Sequence, residues 1–340
     1  MKMKYLTFAV PCYNSEAYMS RCIETLLTGG DAVEIIIVND GSNDGTGQVA
    51  DAYQSQYPDI VKVIHQENKG HGGAVNAGLR HATGKYFKVV DSDDWLDTDA
   101  LRAVLNKLEE WENNDIEIDL LVCDYIYNHL YENKRHQVHY HNVFKPETIC
   151  GWDDIGRFTP SQYLIMHALI FNTWLLRQSG VELPQHTFYV DNIFANQPLP
   201  FVEKLYYLDV GLYHYFLGRD DQSVNESVLC NRIDQQIKVT KIVSECSDIG
   251  RIEYPKLSSY MIRNISVMMA ISSVHLLLIG TEEALEKRKQ LWDYIKIHNP
   301  NLYKKLRYST LSGLTYLPGK LGGLATISGY RMAKKVYKFQ

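Results

Sequence analysis

Four consecutive residues, Asp91-Ser92-Asp93-Asp94, put three carboxylates behind the run Tyr86 to Val90 and directly in front of Trp95. Side chains on a strand alternate between faces, so Asp91 and Asp93 would point one way and Ser92 the other. Two like charges on one face repel unless a cation lies between them. Hard divalent cations such as Mg²⁺ or Mn²⁺ take paired carboxylates together with substrate phosphates. The same residues also read as an acidic turn capping the next helix, because Asp is a common N-cap. From these residues alone both readings stand.

The elements that would carry this turn alternate in type. Tyr5 to Val10 reads as a short strand ending at Pro11, and a helical pattern from Ser15 aligns Met19, Cys22, Ile23, Leu26 and Leu27. Glu34 to Val38 is a continuous apolar strand, with Asn39-Asp40-Gly41-Ser42 as the turn after it and Asp44 as a cap for the next helix. Val61 to Ile64 follows as a strand, Asn68 to Gly73 as a Gly-rich loop, Ala74 to Ala82 as a helix, and Tyr86 to Val90 as the fourth strand. A helix capped by Thr98 and a strand over Asp119 to Cys123 complete the regular part. Strands alternating with helices at this spacing imply βαβ units and a parallel sheet, whose ligands bind beyond the carboxyl ends of the strands. Those ends carry Tyr13 and Asn14, then Asp40, then Asn68 to Gly73, then Asp91 and Asp93, and this convergence favours the cation site. Helical stretches return near Ser161 to Gln178 and from Arg232 through Trp292.

Composition sets the class. The chain has 340 residues, 45% hydrophobic and 22% charged, enough for one large domain with an extension. Its six cysteines form no CxxC pair, which argues against a zinc site or disulfide framework and fits a reducing cytosol. The N-terminal apolar run is too short for a signal peptide, and Ile265 to Ile279 holds Ser and His and is too short to span a bilayer. The net charge of −5 hides an asymmetry: Tyr303 to Gln340 contains eight Lys or Arg and no acid, leaving the remainder at about −13. An acidic body argues against general nucleic-acid binding.

Taken in order, Ala9-Val10-Pro11-Cys12-Tyr13-Asn14, Ile37 to Thr46 with Asn39-Asp40-Gly41-Ser42, Asn68-Lys69-Gly70 with Asn76-Ala77-Gly78, and Asp91-Ser92-Asp93-Asp94 resemble the successive motifs of family 2 glycosyltransferases of the bacterial cell-surface glycan type. The resemblance covers roughly residues 4 to 220. It implies a GT-A fold, a Rossmann-like and mostly parallel central sheet flanked by helices. The change of pattern along the chain divides it near 220 to 230, into 1–225 for the transferase domain and 226–340 for a mainly helical extension. The resemblance also implies an inverting transfer from a nucleotide-diphosphate sugar, with Mn²⁺ or Mg²⁺ as cofactor. Donor-binding positions then fall on Pro11, Tyr13, Asn14, Asp40, Asn68, Gly70, Asp91, Ser92 and Arg219, and metal positions on Asp93, Asp91 and His214. For Tyr13 and His214 a place in the core is the competing reading, and for the Gly-rich loop a plain flexible loop. Tyr189 to Phe194 resembles the segment that supplies the catalytic base, Asp191, although Val190 stands where the family has a further acid. An ordinary helix cap is the alternative for Asp191.

The basic tail from Tyr330 to Phe339 sets Met332, Val336 and Phe339 on one helical face. Basic amphipathic helices lie on anionic membranes, so two readings follow: a cytoplasmic protein held at the inner face of the membrane, or a terminal helix docked on its own acidic body. A lipid-linked saccharide acceptor suits the first. Two other function classes compete. A sugar nucleotidyltransferase would carry glycine and basic residues after the first strand, which Pro11 to Ser15 lack, and a silent binding protein of the same fold would have lost Asp93 or Asp191, which are both present.

Overall fold

Every residue of Leu6–Cys12 (β1) and Val33–Asp40 (β2) is buried, which explains why neither shows the polar alternation of a one-sided strand. The computed structural model describes residues 3–129, 134–160, 162–217, 226–246 and 252–337. After β1 comes the helix Met19–Leu27 (α1), and after β2 comes Thr46–Gln56 (α2). Val61–Gln66 (β3), Gly70–His81 (α3) and Tyr86–Val89 (β4) follow. β1 pairs in parallel with both β2 and β4, and β2 in parallel with β3, so the C-terminal ends of these four strands share one edge.

Beyond β4 the sheet becomes mixed. Trp95–Leu96 (β5), Thr98–Asn113 (α3's successor, α4), Leu120–His129 (β6), Lys134–Val138 (β7) and Ile149–Cys150 (β8) come next. Leu169–Asn172 (β9), Thr173–Gln178 (α5), Asp191–Asn196 (α6) and Leu205–Leu217 (β10) complete the sheet region. The main path runs β3-β2-β1-β4-β9-β6-β10-β5. β9 is antiparallel to both its neighbours, and β10 returns parallel to β6. Leu169 to Phe171 therefore form a buried strand where a helical stretch was expected. An apolar run with ladder partners on both sides buries its backbone polar groups more completely as a strand than as an isolated turn of helix. The cap of α4 is Asp97, not Thr98: its carboxylate accepts from the amides of Asp99 and Ala100.

Cα proximity divides the chain into two compact units, 1–218 and 219–340. Residues 218–225, which include the expected division at 225, lie outside the described residues. The second unit consists of Glu226–Asn231 (α7), Ile233–Glu245 (α8), Pro255–Ile279 (α9), Glu282–His298 (α10), Pro300–Ser309 (α11) and Gly319–Tyr337 (α12). α9 begins well before Ile265, and its 25 residues are long and apolar enough to cross a membrane by length and composition. Even so, 56% of its most apolar stretch is buried in the protein. Leu257, Met261, Ile265, Met269 and Leu276 lie in the core, and α8, α10 and α12 pack around them. Gly280 ends α9 with φ of 71°, the left-handed stop that glycine takes without strain.

α3 lies close against β1. A Cβ built on Gly78 would lie 2.5 Å from the Cβ of Ala9. Gly→Ala inside a helix ordinarily stabilises by up to about 1 kcal/mol. Here overpacking reverses the sign, and Gly78→Ala is expected to cost about 1–3 kcal/mol in chemical denaturation; a stabilised variant would refute this packing.

Candidate active site

The loop after β1 is tied to the loop after β2. Asn14, at φ of 50°, donates its amide to Ser42 Oγ (3.0 Å) and accepts from the Asn43 amide (2.9 Å). The Ser15 amide donates to Thr46 Oγ1 (2.7 Å), and Asp44 accepts from the amides of Glu16 and Thr46. Asn14 is thus occupied in holding the two loops together, and Pro11 is buried within β1 beside Val38. Tyr13 is 50% exposed, so a place in the core is excluded for it. Asp40 is 2% exposed and accepts from Gln66 Nε2 (2.6 Å) and the Lys69 amide (2.8 Å), both at Oδ1. Its Oδ2 has no hydrogen-bond partner among the described residues.

The Gly-rich segment is not a flexible loop. Gly70 to Gly73 form the first turn of α3, and Asn68 fixes the approach by donating to the Asp40 carbonyl (2.9 Å) and accepting from the Gly70 amide (3.2 Å). The glycines are needed for another chain segment. A Cβ on Gly70, itself at φ of 73°, would meet the His186 amide at 3.0 Å, and one on Gly72 would meet the Pro184 carbonyl at 2.8 Å. Asn76 completes this docking with two bonds to Leu183, donating to its carbonyl (2.8 Å) and accepting from its amide (3.0 Å). The segment then passes through His186 (φ 48°) and Tyr189 (φ 66°) into α6, whose first residue is Asp191. A left-handed Tyr is costly and marks a position held by its surroundings. Asp191 does not cap the helix; the cap position is Val190, and the Asn192 amide side chain donates to Asp191 Oδ1 (3.2 Å).

Residues 91 to 94 form a turn closed by the Asp94 amide on the Asp91 carbonyl (3.0 Å), yet the alternation persists: Asp91 and Asp93 are half-buried, Ser92 and Asp94 fully buried. Ser92 faces inward, and its hydroxyl bonds Ser15 Oγ at 2.9 Å. Asp94 accepts from the Tyr213 hydroxyl (2.5 Å) and the Phe216 amide (2.7 Å), and Tyr213 also accepts from the Asp91 amide (3.1 Å). Burial, then Asp93 and Asp91, push the Asp94 carboxyl well above the usual range.

Asp91 Oδ1 lies 2.8 Å from His71 Nε2. Burial alone would raise the Asp91 carboxyl, but the charge and hydrogen bond of His71 outweigh it and hold it below the usual carboxylate range. Burial works against protonated His71, and Asp91, followed by Asp191 and Asp93, more than offsets it, so the His71 pKa is raised. Asp191 is raised by burial, with His71 opposing. His71, Asp91, Asp93 and Asp191 therefore share one electrostatic environment.

His167 is the other histidine of the site. It stacks on Tyr213 with ring centroids 4.5 Å apart, and burial lowers its pKa to about 4. Lys88, fully buried and lowered to about 8 by desolvation, donates to the His167 carbonyl (2.5 Å). Asp91, Asp94 and His167 each offer a donor atom, mutually within 4.8 Å. His167 Nδ1 is buried without a hydrogen-bond partner. A neutral imidazole with an orphaned nitrogen, beside carboxylates that repel one another, fits a divalent cation. His214 is placed elsewhere. It stacks on Trp95 at 5.1 Å, takes a bond from Asn128 (3.1 Å), and lies 4.0 Å from Asp97. The Arg21 guanidinium covers the Trp95 ring at 3.2 Å, and Trp152 is a core residue donating to the Val202 carbonyl. Arg219 lies outside the described residues. His71 could have been found from its place in the Gly-rich stretch; His167 falls where acceptor-side residues would lie, but no motif around it assigns it a role.

Parallel strands whose carboxyl ends gather an exposed tyrosine, a buried aspartate and an acidic turn define a GT-A type of α/β domain. Residues 7–172 match the family model described as Glycosyl transferase family 2, and this domain belongs to that family. Among curated proteins, the chain is 27% identical over 229 residues to glycosyltransferase GlyA of Streptococcus pneumoniae, covering 64% of this chain and 31% of GlyA. It is 32% identical over 115 residues to the minor teichoic acid biosynthesis protein GgaB of Bacillus subtilis, covering 33% of this chain and 12% of GgaB. The chain thus spans about a third or less of these relatives' length. In fold it is similar to S. aureus TarS 1–349 in complex with UDP, with a TM-score of 0.67 at 17% identity over 97% of this chain and 92% of that one. A second TarS structure, in complex with UDP-GlcNAc, gives 0.65 at 19% identity over 99% and 92%.

In metal-free protein, an NMR titration of His71 is expected to give a midpoint above the ordinary value of about 6.5. Asp91→Asn should lower it; an unmoved midpoint would show that Asp91 does not hold the charge.

Proposed function

We propose that this protein transfers a sugar from a UDP-sugar to a saccharide or lipid-linked saccharide acceptor, with inversion and in a single displacement. The observation that carries the reading is the docking of residues 183–186 on α3, which leads the chain to Asp191 in the charge environment of Asp91 and His71. In this reading Tyr13 stacks on the base and Asp40 Oδ2 accepts from a base N–H or ribose hydroxyl. Asp91, Asp93 and His167 hold Mn²⁺ or Mg²⁺, with Asp94 supporting the turn through Tyr213 and Phe216. Such an ion, when bound, would neutralise charge on the departing diphosphate. Arg219, from the family motif, meets the diphosphate. Asp191 takes the proton of the acceptor hydroxyl, and a carboxyl raised by burial is a stronger base than an exposed one. The UDP complexes of the structurally similar TarS support the donor class. The teichoic acid role in the name of GgaB supports an acceptor in a cell-surface polymer.

Transfer should rise with pH through the Asp191 pKa, above the ordinary carboxylate value of about 4, because only the ionised form accepts a proton. Asp191→Asn is expected to lower UDP-sugar turnover by about 10²–10⁴-fold while UDP affinity is kept. Undiminished turnover would remove the base from Asp191. Chelation, or Asp93→Ala, should abolish release of UDP, and metal-independent release would refute the cation's role.

We also place the second unit at an anionic membrane. α12 is partly docked on its own unit, since Tyr330 and Lys334 reach Glu226 at 2.9 and 3.0 Å. Leu321, Leu324 and Met332 nevertheless recur at helical spacing and are 83%, 61% and 68% exposed, flanked by exposed Lys320 and Arg331. Exposed apolar residues among cations fit lipid rather than water. The full chain should sediment with phosphatidylserine vesicles, and Leu321→Glu with Leu324→Glu should release it; equal sedimentation of the variant would refute this face.

A further inference from the structure

β10 does not run evenly along β6. Its register slips between Leu208 and Gly211 and again before Tyr213, so Asp209 sits in a bulge. Bulges turn a side chain away from the direction the pleat would give it. Asp209 is turned towards His139 and His141, which follow the strand β7, and its Oδ1 lies 3.6 Å from His139 Nδ1. A metal-competent donor on each of the three lies within 4.8 Å of the other two, and the histidine rings are 5.2 Å apart.

Beneath this surface group lies a built support. Asp124 on β6 is fully buried, and its Oδ2 is 2.6 Å from His139 Nδ1. Gln137 donates to the same oxygen (3.0 Å). The Tyr207 hydroxyl lies 2.8 Å from both Asp124 Oδ1 and Asp209 Oδ1, which fixes the exposed carboxylate relative to the buried one. A buried carboxylate that takes the Nδ1–H of a histidine sets the ring's tautomer and leaves the lone pair on Nε2. Metal-binding histidines are commonly oriented in this way, and the support raises their basicity. Nothing in the sugar-transfer reading uses any of these residues.

We propose that His139, His141 and Asp209 bind a borderline divalent cation of the Zn²⁺ type, separate from the carboxylate turn at Asp91 to Asp94, with Asp124 as the positioning residue. Two imidazoles and one carboxylate are the ligand types that zinc takes, at about 2.0–2.2 Å, with a fourth position left to water. Mg²⁺ prefers an all-oxygen shell. All three side chains are exposed, so small rotamer changes can bring their donors onto one ion. Bound there, the ion clamps the bulge of β10 to the segment that follows β7.

The test is Zn²⁺ titration of the full chain by calorimetry, with metal analysis after dialysis, in wild type and in Asp93→Asn. The second background removes a ligand of the acidic turn, so failure of this site and failure of the transfer reading are told apart. The acidic turn of wild type can itself take Zn²⁺, so the site is read in the Asp93→Asn background, where one Zn²⁺ per chain should bind. His139→Gln with His141→Gln should weaken it by at least about 100-fold, and Asp124→Asn by about 10–100-fold. The histidine pair is exposed, so its variant keeps the test valid if Asp124→Asn fails to fold. Zn²⁺ should raise the melting temperature of Asp93→Asn and leave that of the variant also lacking both histidines unchanged. Equal Zn²⁺ affinity with and without the two histidines would place the ion elsewhere, for example on a cysteine, and overturn the proposal, as would the absence of binding in Asp93→Asn.

Discussion

The active-site region depends on one close approach: the chain at residues 183–186 lies directly on the N-terminal turn of α3. Gly70 and Gly72 leave no room for a Cβ there, and Asn76 bonds both backbone groups of Leu183. A buried amide and carbonyl without partners would each cost about 1–3 kcal/mol, so the approach and the asparagine require each other. Two parts of the chain separated by some hundred residues are thereby joined. One carries His71 towards the acidic turn, and the other carries Asp191.

Charge is arranged around the same junction. Three aspartates in one turn and a fourth on α6 would be mutually repulsive in a poorly solvated region. Three of the four are handled differently. Asp91 is held ionised by His71; Asp94 is pushed up by burial and satisfied by Tyr213 and the Phe216 amide; Asp191 is raised by burial. His167 stays neutral beside them. In the proposed reading, such divergent protonation among neighbouring groups separates the tasks of binding a cation and accepting a proton.

The first half of the fold is legible because its signals are local. Apolar runs buried on both faces, and polar residues at each strand's end, place β1 to β4 and the edge they share. Asp40, Asp91 and Asp93 follow from that pattern. What fails to appear in the sequence depends on distant partners. Leu169 to Phe171 become a strand because β4 and β6 offer ladders on either side. Ser92 turns inward because Ser15 is there to receive it, and His214 goes to Trp95. His167 stands in a 3-10 turn with no recognisable motif around it. Gly70 and Gly72 are visible in the sequence, but their reason is a segment that arrives much later.

The Tyr213 hydroxyl has a consequence for how the protein is made. It bridges the Asp94 carboxylate and the Asp91 amide across about 120 residues of chain. A nascent chain that has emerged only as far as β9 already contains Tyr13, Asp40, the Gly-rich turn of α3 and the acidic turn. It still lacks the strand that holds the acidic turn in shape. Contacts of such sequence separation form late, after the loop they close has been ordered. During synthesis the carboxylates are therefore exposed and unsupported until β10 leaves the ribosome and pairs with β6. The site is completed from its C-terminal side, so a half-made chain carries the motifs without the geometry that would let them work.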